Sequence, residues 1–364
     1  MPILSFKIFH YRLPLRNGLT IPGKALRERE GLLLVVNDEN GHRGYGDISP
    51  LPGLNAETIT TARAQLVNLC PLLRRKPFPP GIENLDGKIA SWLSEESIAP
   101  SVLVGVESAV LTLKAGEEEE GLAALLQKNS PKTVAVSGLL HGETSAVVAQ
   151  AAELVAGGFQ SLKLKVGETD FKKDIEKVNA VSDAVGGKAI LRLDANRAWE
   201  LSEAVEFARR IDFAAVEYIE EPLKDISKLP AFYAETLIPV AVDESLLNSR
   251  LEDLKSLDGV EIVILKPTAL GGLERTSRLA RQAKGYGLLS VISSSFESGV
   301  GIRILANIAS ALSRNVPAGL DTLKWFDADV TTEPLTIRNG HLDLPQRQCP
   351  DITLNPAVLT EIPL

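Results

Sequence analysis

After about residue 132, short apolar runs alternate with stretches in which apolar residues recur every three or four positions. The runs fall at 134–139, 161–166, 190–194, 216–220, 240–243, 261–266, 288–293 and 318–323, at intervals of roughly 20 to 30 residues. Windows such as 202–211 and 272–286 carry the helical period between them. Strands covered on both faces read as continuous apolar runs, and their alternation with amphipathic helices predicts parallel βα units. Eight such strands close into a barrel, with an open doubly wound sheet as the alternative. An open sheet usually carries a glycine-rich phosphate turn after its first strand. Gly271-Gly272 and Gly157-Gly158 do not stand in that pattern, and the second pair reads as a helix end.

The first third of the chain has another texture. β-forming residues dominate 3–13, 31–36 and 45–48, with the turn signal Asn40-Gly41 between the last two. Helical period follows at 57–73 and 101–115. Residues 18–30 are polar and basic, with Lys24, Arg27 and Arg29, and read as a mobile loop between strands. The charge run at 117–121 reads as a solvated surface. A proline-rich end, 333–364, with Asn339-Gly340 inside it, is expected to pack back on the first part. The expected organisation is an α+β capping domain over 1–130, a barrel over 131–325 and a returning segment over 326–364.

Composition removes several function classes. Of 364 residues, 45% are hydrophobic and 24% charged, as in ordinary globular chains. The net charge of −8 disfavours nucleic acid and anionic membrane surfaces as partners. Any anionic substrate therefore needs a local positive site. No run reaches the roughly 18 apolar residues of a membrane span, and the first residues lack a signal-peptide core, so a cytoplasmic protein is expected. Cys70 and Cys349 stand far apart and outside any Cys-x-x-Cys pair, which predicts reduced thiols. Four scattered histidines, His10, His42, His141 and His341, do not suggest a zinc site.

The chemistry lies at the C-terminal ends of the barrel strands, where loops and strand tips converge. One strand ends in Lys163-Leu164-Lys165, whose two lysines share a face. The next ends in Asp194, the next in Glu220 and the next in Asp243. Lys266 and then Ser293-Ser294-Ser295 end the two that follow. One charge at a strand end is ordinary, but three carboxylates crowded on successive strands repel one another and must be protonated, paired or metal-bound. An oxygen-only ligand set suits magnesium, or manganese in its place. A lysine–carboxylate ion-pair network is the structural alternative. Lysines beside a bound cation have a disfavoured ammonium form and can serve as bases, and a metal can stabilise an enediolate formed beside a carboxylate. The residues thus point to proton abstraction from a small-molecule carboxylate.

With these residues in order, the chain resembles the enolase superfamily in its muconate-cycloisomerase-like branch. The stretches 44–53, 192–199, 291–298 and 319–323 are similar to those of the o-succinylbenzoate synthase family. That resemblance implies a (β/α)7β TIM-like barrel with a capping domain built from both ends of the chain. It implies a magnesium-dependent lyase that makes 2-succinylbenzoate for menaquinone or phylloquinone synthesis. Dipeptide epimerases and N-acylamino acid racemases of the same superfamily are the alternative. Carried over, Lys165 is the base, Lys163 its electrostatic support and Lys266 a cation over the opposite ring face. Asp194, Glu220 and Asp243 hold magnesium. Ser293 and the backbone of Gly319 receive the succinyl carboxylate. Lys163, Asn196 and Arg192 are further candidates for substrate contact, with a structural ion pair as the other reading of Arg192. The 18–30 segment closes over the site. Asp327 and Asp329 are reminiscent of an Asp-x-Asp pair in dipeptide epimerases, although they fall later than strand eight and read as a solvated loop.

Overall fold

The β-forming stretches at the start of the chain pair as antiparallel strands in a computed structural model, which describes residues 2–21, 24–93, 97–167, 170–345 and 352–363. β1 (Ser5–Ile21) and β2 (Lys24–Asn37) form one long hairpin, and β3 (Arg43–Ile48) lies against β2. The expectation of a loop at 18–30 is corrected. The hairpin continues there, pairing Leu19 with Leu26 and Ile21 with Lys24. Pro14 lies inside β1. It lies where the register shifts, between Pro14 and Leu19, and an irregular ladder tolerates its missing N–H. The tip at 22–23 falls outside the described residues.

Helix Pro100–Glu117 covers the sheet. Its approach needs two glycines, since a Cβ on Gly46 of β3 would stand 1.8 Å from the carbonyl oxygen of Gly105. Helix Ile59–Leu73 starts at a capping box made by Thr58 and Thr61, satisfying backbone donors that the first turn leaves free.

The apolar runs that follow build the barrel. β4 (Thr133–Ala135) and β5 (Gly138–Leu140) divide what the sequence shows as one run. β6 (Ser161–Lys165), β7 (Ile190–Asp194), β8 (Val216–Glu220), β9 (Val240–Val242), β10 (Val260–Leu265) and β11 (Leu289–Ile292) follow, with helices between them. β5 to β11 form a parallel sheet in sequence order. The expected strand at 318–323 contracts to Ala318 and Gly319, which bridge to Val136 on one side and Ser293 on the other and close the curl. Beyond Gly319 the chain turns into a short 3-10 helix, Leu323–Trp325, so the later part of that apolar run packs as a loop.

The last segment visits two sheets. β12 (His341–Asp343) pairs with β4, and β13 (Leu359–Ile362) pairs with the outer edge of β1, giving the order β13-β1-β2-β3. Cys349 lies outside the described residues. Among the described residues, no helix is long and apolar enough to cross a membrane.

Alternation sorts the barrel side chains. Ile219, Val240, Val242, Val263 and Leu265 join the main core outside the sheet. Tyr218, Ala241, Ile262, Ile264 and Val291 form a separate cluster. The second set shares strand parity with Glu220, Asp243, Lys266 and Ser293. The barrel is thus plugged by apolar residues deeper along the strands, and the polar groups follow on the same face. Each large side chain buried in such a plug contributes roughly 1.5–3 kcal/mol, so the site rests on a rigid floor.

Candidate active site

Parallel register brings the strand ends together. Lys165 pairs in register with Asp194, and Asp194 with Glu220. The strands therefore deliver a lysine and two carboxylates side by side. Lys163 Nζ lies 2.8 Å from Asp194 Oδ2 and 2.7 Å from Glu220 Oε2. Lys266 Nζ contacts Asp243 Oδ2. The charge of Lys165 also acts on Asp194. The residues named from the sequence thus form one connected cluster, and two of its lysines are engaged in the ion pairing given above as the structural alternative.

Burial alone would drive these groups neutral, and their neighbours decide otherwise. For Lys163 burial opposes the ammonium, but Asp194 and Glu220 outweigh it and raise its pKa well above the ordinary value. Lys266 is raised likewise, against burial, chiefly by Asp243. Asp194 is lowered despite burial, chiefly by Lys163. Glu220 goes the other way: burial and then the charge of Asp194 push its carboxyl up to about 8.

Glu220 supplies the test for a metal. It is fully buried, and its Oε1 has no hydrogen-bond partner. A carboxylate oxygen enclosed without a donor is costly, and a cation offsets that cost. With Asp194 and Asp243 on neighbouring strands, the donors are hard oxygens of the type that magnesium takes. Among the described residues no three acidic, histidine or cysteine groups stand in a ready-made cation cluster, and Lys163 and Lys266 contact these oxygens. The donor set fits magnesium in chemistry.

Behind the cluster stands a support that sequence reasoning missed. Glu221 Oε1 accepts from the backbone N–H groups of Asp243 (2.9 Å) and Ser245 (2.7 Å). Its Oε2 accepts from the Ser245 hydroxyl (2.8 Å) and from Arg197 Nε (3.0 Å). Asn196, Arg197 and Glu221 adopt left-handed backbone, with φ of 41°, 61° and 44°. Non-glycine residues hold that conformation only where the surroundings over-determine it. Asn196 Nδ2 donates to Glu244 Oε1 (2.9 Å), while Glu244 Oε2 is buried without a partner. Burial, and then Asp243, raise the Glu244 carboxyl. The only sequence signal was the adjacency of Glu221 to Glu220 and of Glu244 to Asp243.

The remaining candidates fall into place unevenly. Ser293 bridges Gly319, where an added Cβ would stand 2.5 Å from Ser293 Oγ and would displace that hydroxyl. Arg192 is buried deeper in the barrel. Its Nε donates to Glu217 and its Nη1 to the carbonyl of Pro317, both at 2.6 Å, and its guanidinium lies 5.3 Å from the Tyr218 ring. Its structural ion pair with Glu217 is therefore present. Asp329 accepts from the backbone of Gly299 and Val330, and Asp327 pairs with Arg16 at 3.3 Å. Both aspartates are engaged away from the lysine–carboxylate cluster.

Comparison with known proteins adds to this geometry. Residues 146–350 match the family described as enolase C-terminal domain-like, and residues 3–76 the one described as MenC, N-terminal domain. The o-succinylbenzoate synthase of Haemophilus influenzae is 31% identical over 333 residues, covering 90% of this chain and 92% of that protein. Protein PHYLLO, chloroplastic, of Arabidopsis thaliana is 34% identical over 365 residues, covering 90% of this chain. The chain spans only 21% of that longer protein's length. Among solved structures, the L-Ala-D/L-Glu epimerase of Bacillus subtilis aligns with a TM-score of 0.84 at 22% identity, covering 96% of this chain and 98% of that one. The muconate lactonizing enzyme of Pseudomonas fluorescens aligns with the same score at 21% identity, covering 97% of each. At such identities the two structures show the fold alone.

Proposed function

Since the chain belongs to the enolase superfamily and, within it, to the o-succinylbenzoate synthase family, we propose that it dehydrates 2-succinyl-6-hydroxy-2,4-cyclohexadiene-1-carboxylate to 2-succinylbenzoate. It is a hydro-lyase of menaquinone or phylloquinone synthesis. The observation that carries this reading is the convergence of lysines and three carboxylates from successive strands on one face of the barrel.

In this reading the Nζ lone pair of Lys165 takes the proton from the ring carbon that bears the carboxylate. The C–H electrons pass into the conjugated carboxylate system. The resulting ammonium returns that proton to the hydroxyl as the C–O bond breaks, so water leaves from the same face and the ring becomes aromatic. Lys163 orients Asp194 and Glu220 and adds positive charge beside the base. Lys266 sets its ammonium against the opposite ring face, where a cation stabilises developing π charge. Asp194, Glu220 and Asp243 hold magnesium. When bound, the metal supplies positive charge to the substrate carboxylate, an interaction that strengthens as that group gains charge. Ser293 receives the succinyl carboxylate and Asn196 borders the substrate; the Gly319 N–H, expected from the sequence to share in this contact, is instead committed to the Ile292 carbonyl at 2.9 Å.

The test is an assay with the cyclohexadiene carboxylate, with and without magnesium. Aromatic ultraviolet absorbance that grows only with the metal supports the reading. α-Hydrogen exchange into both enantiomers of an N-acyl amino acid or dipeptide, without dehydration, overturns it.

A further inference from the structure

Arg29 is an unusual group to bury. It lies on β2 of the cap, is 2% exposed, and ends among backbone carbonyls. Nη1 donates to Pro50 (3.0 Å) and Nη2 to Ser49 (2.8 Å), both in the segment after β3. Nη2 also donates to Ser295 (3.3 Å), and Nε to Phe296 (3.2 Å), just beyond Ser293 at the barrel mouth. One guanidinium thus joins the two parts of the molecule.

The segment it grips on the barrel side is strained. Phe296 adopts a left-handed backbone, φ 62°, which a bulky residue does not hold unaided. On the other side Glu297 accepts from the N–H of Ser295 (2.6 Å) and from the Thr268 hydroxyl (2.7 Å) in the turn after Lys266. The Phe296 ring then meets Trp325 edge-on at 5.6 Å, and Trp325 lies 4.2 Å from the His141 ring at the end of β5. The cap therefore acts on a turn that links Ser293 to an aromatic cluster spanning three strand ends.

We propose that Arg29 is a positioning residue for substrate binding: it holds the Ser295 and Phe296 carbonyls from the cap and so fixes the turn that sets Ser293 and the Phe296–Trp325 wall. This rests on the reading of Ser293 as the receiver of the succinyl carboxylate. Displacement of the turn weakens substrate binding in ground state and transition state alike. It leaves the base and the carboxylate cluster on β6 to β10 in place. Such a change raises KM and spares kcat.

The experiment compares the wild type with Arg29→Met, Arg29→Lys, Phe296→Gly and the double variant Arg29→Met/Phe296→Gly in the dehydration assay. Thermal unfolding is followed in parallel. Arg29→Met is expected to raise KM about tenfold, within the range that small misplacements produce, with kcat nearly unchanged. Arg29→Lys, which keeps the charge and can reach one set of carbonyls, recovers part of the loss. If Arg29→Met does not fold, the same split is read from Arg29→Lys. Glycine needs no help to adopt a positive φ. In the Phe296→Gly background, the Arg29→Met step should therefore raise KM much less than it does alone. A lowered melting temperature with unchanged KM, or KM effects that simply multiply in the double variant, overturns the inference. A wild type that does not dehydrate the substrate overturns the functional reading instead, so the two failures are distinct.

Discussion

Lys165 and Glu221 make different claims at the scale of single residues. If Lys165 is the base, Lys165→Ala should lower kcat about a thousandfold, the usual scale of a lost general base, with an unchanged circular dichroism spectrum. Retention of more than a few per cent of activity would remove it from that role. Glu221 never touches the reacting atoms but holds the backbone of Asp243 and Ser245. Glu221→Gln should weaken magnesium binding roughly 10- to 100-fold, as loss of a ligand's support does, and Asp243→Asn should weaken it at least as much. Titration calorimetry checks both. Equal affinity in wild type and Glu221→Gln would mean that Asp243 is held in place without the Glu221 carboxylate. The strand-end residues were legible in the sequence because a period of two and the barrel's polarity assign them a place. Glu221, Arg197 and Arg29 were not. Their partners are side-chain and backbone groups on other loops, reached through left-handed turns and long-range contacts that leave no period behind.

At the scale of elements, helix–loop contacts carry a pH signature. Glu107, on helix Pro100–Glu117, accepts from the N–H groups of Leu273 and Glu274, which open helix Leu273–Gly285 on the barrel. Burial drives its carboxyl from an ordinary 4.5 up to about 8. The folded state thus holds this proton more tightly than the unfolded chain. The contribution to stability is fully present below pH 4.5 and is lost as the pH rises towards about 8. The stability of the wild type relative to Glu107→Gln should fall across that window by about 1 kcal/mol per pH unit. Urea unfolding at several pH values measures it, and a pH-independent difference would contradict the shift. Element positions show what pattern can and cannot supply. The helices expected at 202–211 and 272–286 form at Leu201–Arg210 and Leu273–Gly285. The run at 318–323 yields only a two-residue bridge, because apolar content marks burial and does not distinguish a strand from a buried turn. The hairpin through 18–30 was read as a loop because its polar residues conceal a ladder made by the backbone.

At the scale of the whole molecule, magnesium binding and folding are linked if the ligands converge only in the native state. Magnesium at a hundred times its dissociation constant should stabilise the protein by about 2.7 kcal/mol, seen as a rise in melting temperature that EDTA reverses. Glu220→Gln should blunt that rise, and a melting temperature indifferent to magnesium would argue against the ligand assignment. The same scale exposes an asymmetry in the pairing of Ile8 with Ile362. β2 follows β1 within one hairpin, but the partner on the other side of β1 comes from more than 300 residues further along the chain. Where β13 covers Ile8–Tyr11, a strand of only four residues replaces the long β1 as the edge of the sheet. Short edge strands give other polypeptides little ladder to pair with, so a chain cut just before Leu359 should aggregate more readily than the intact one, as light scattering would show.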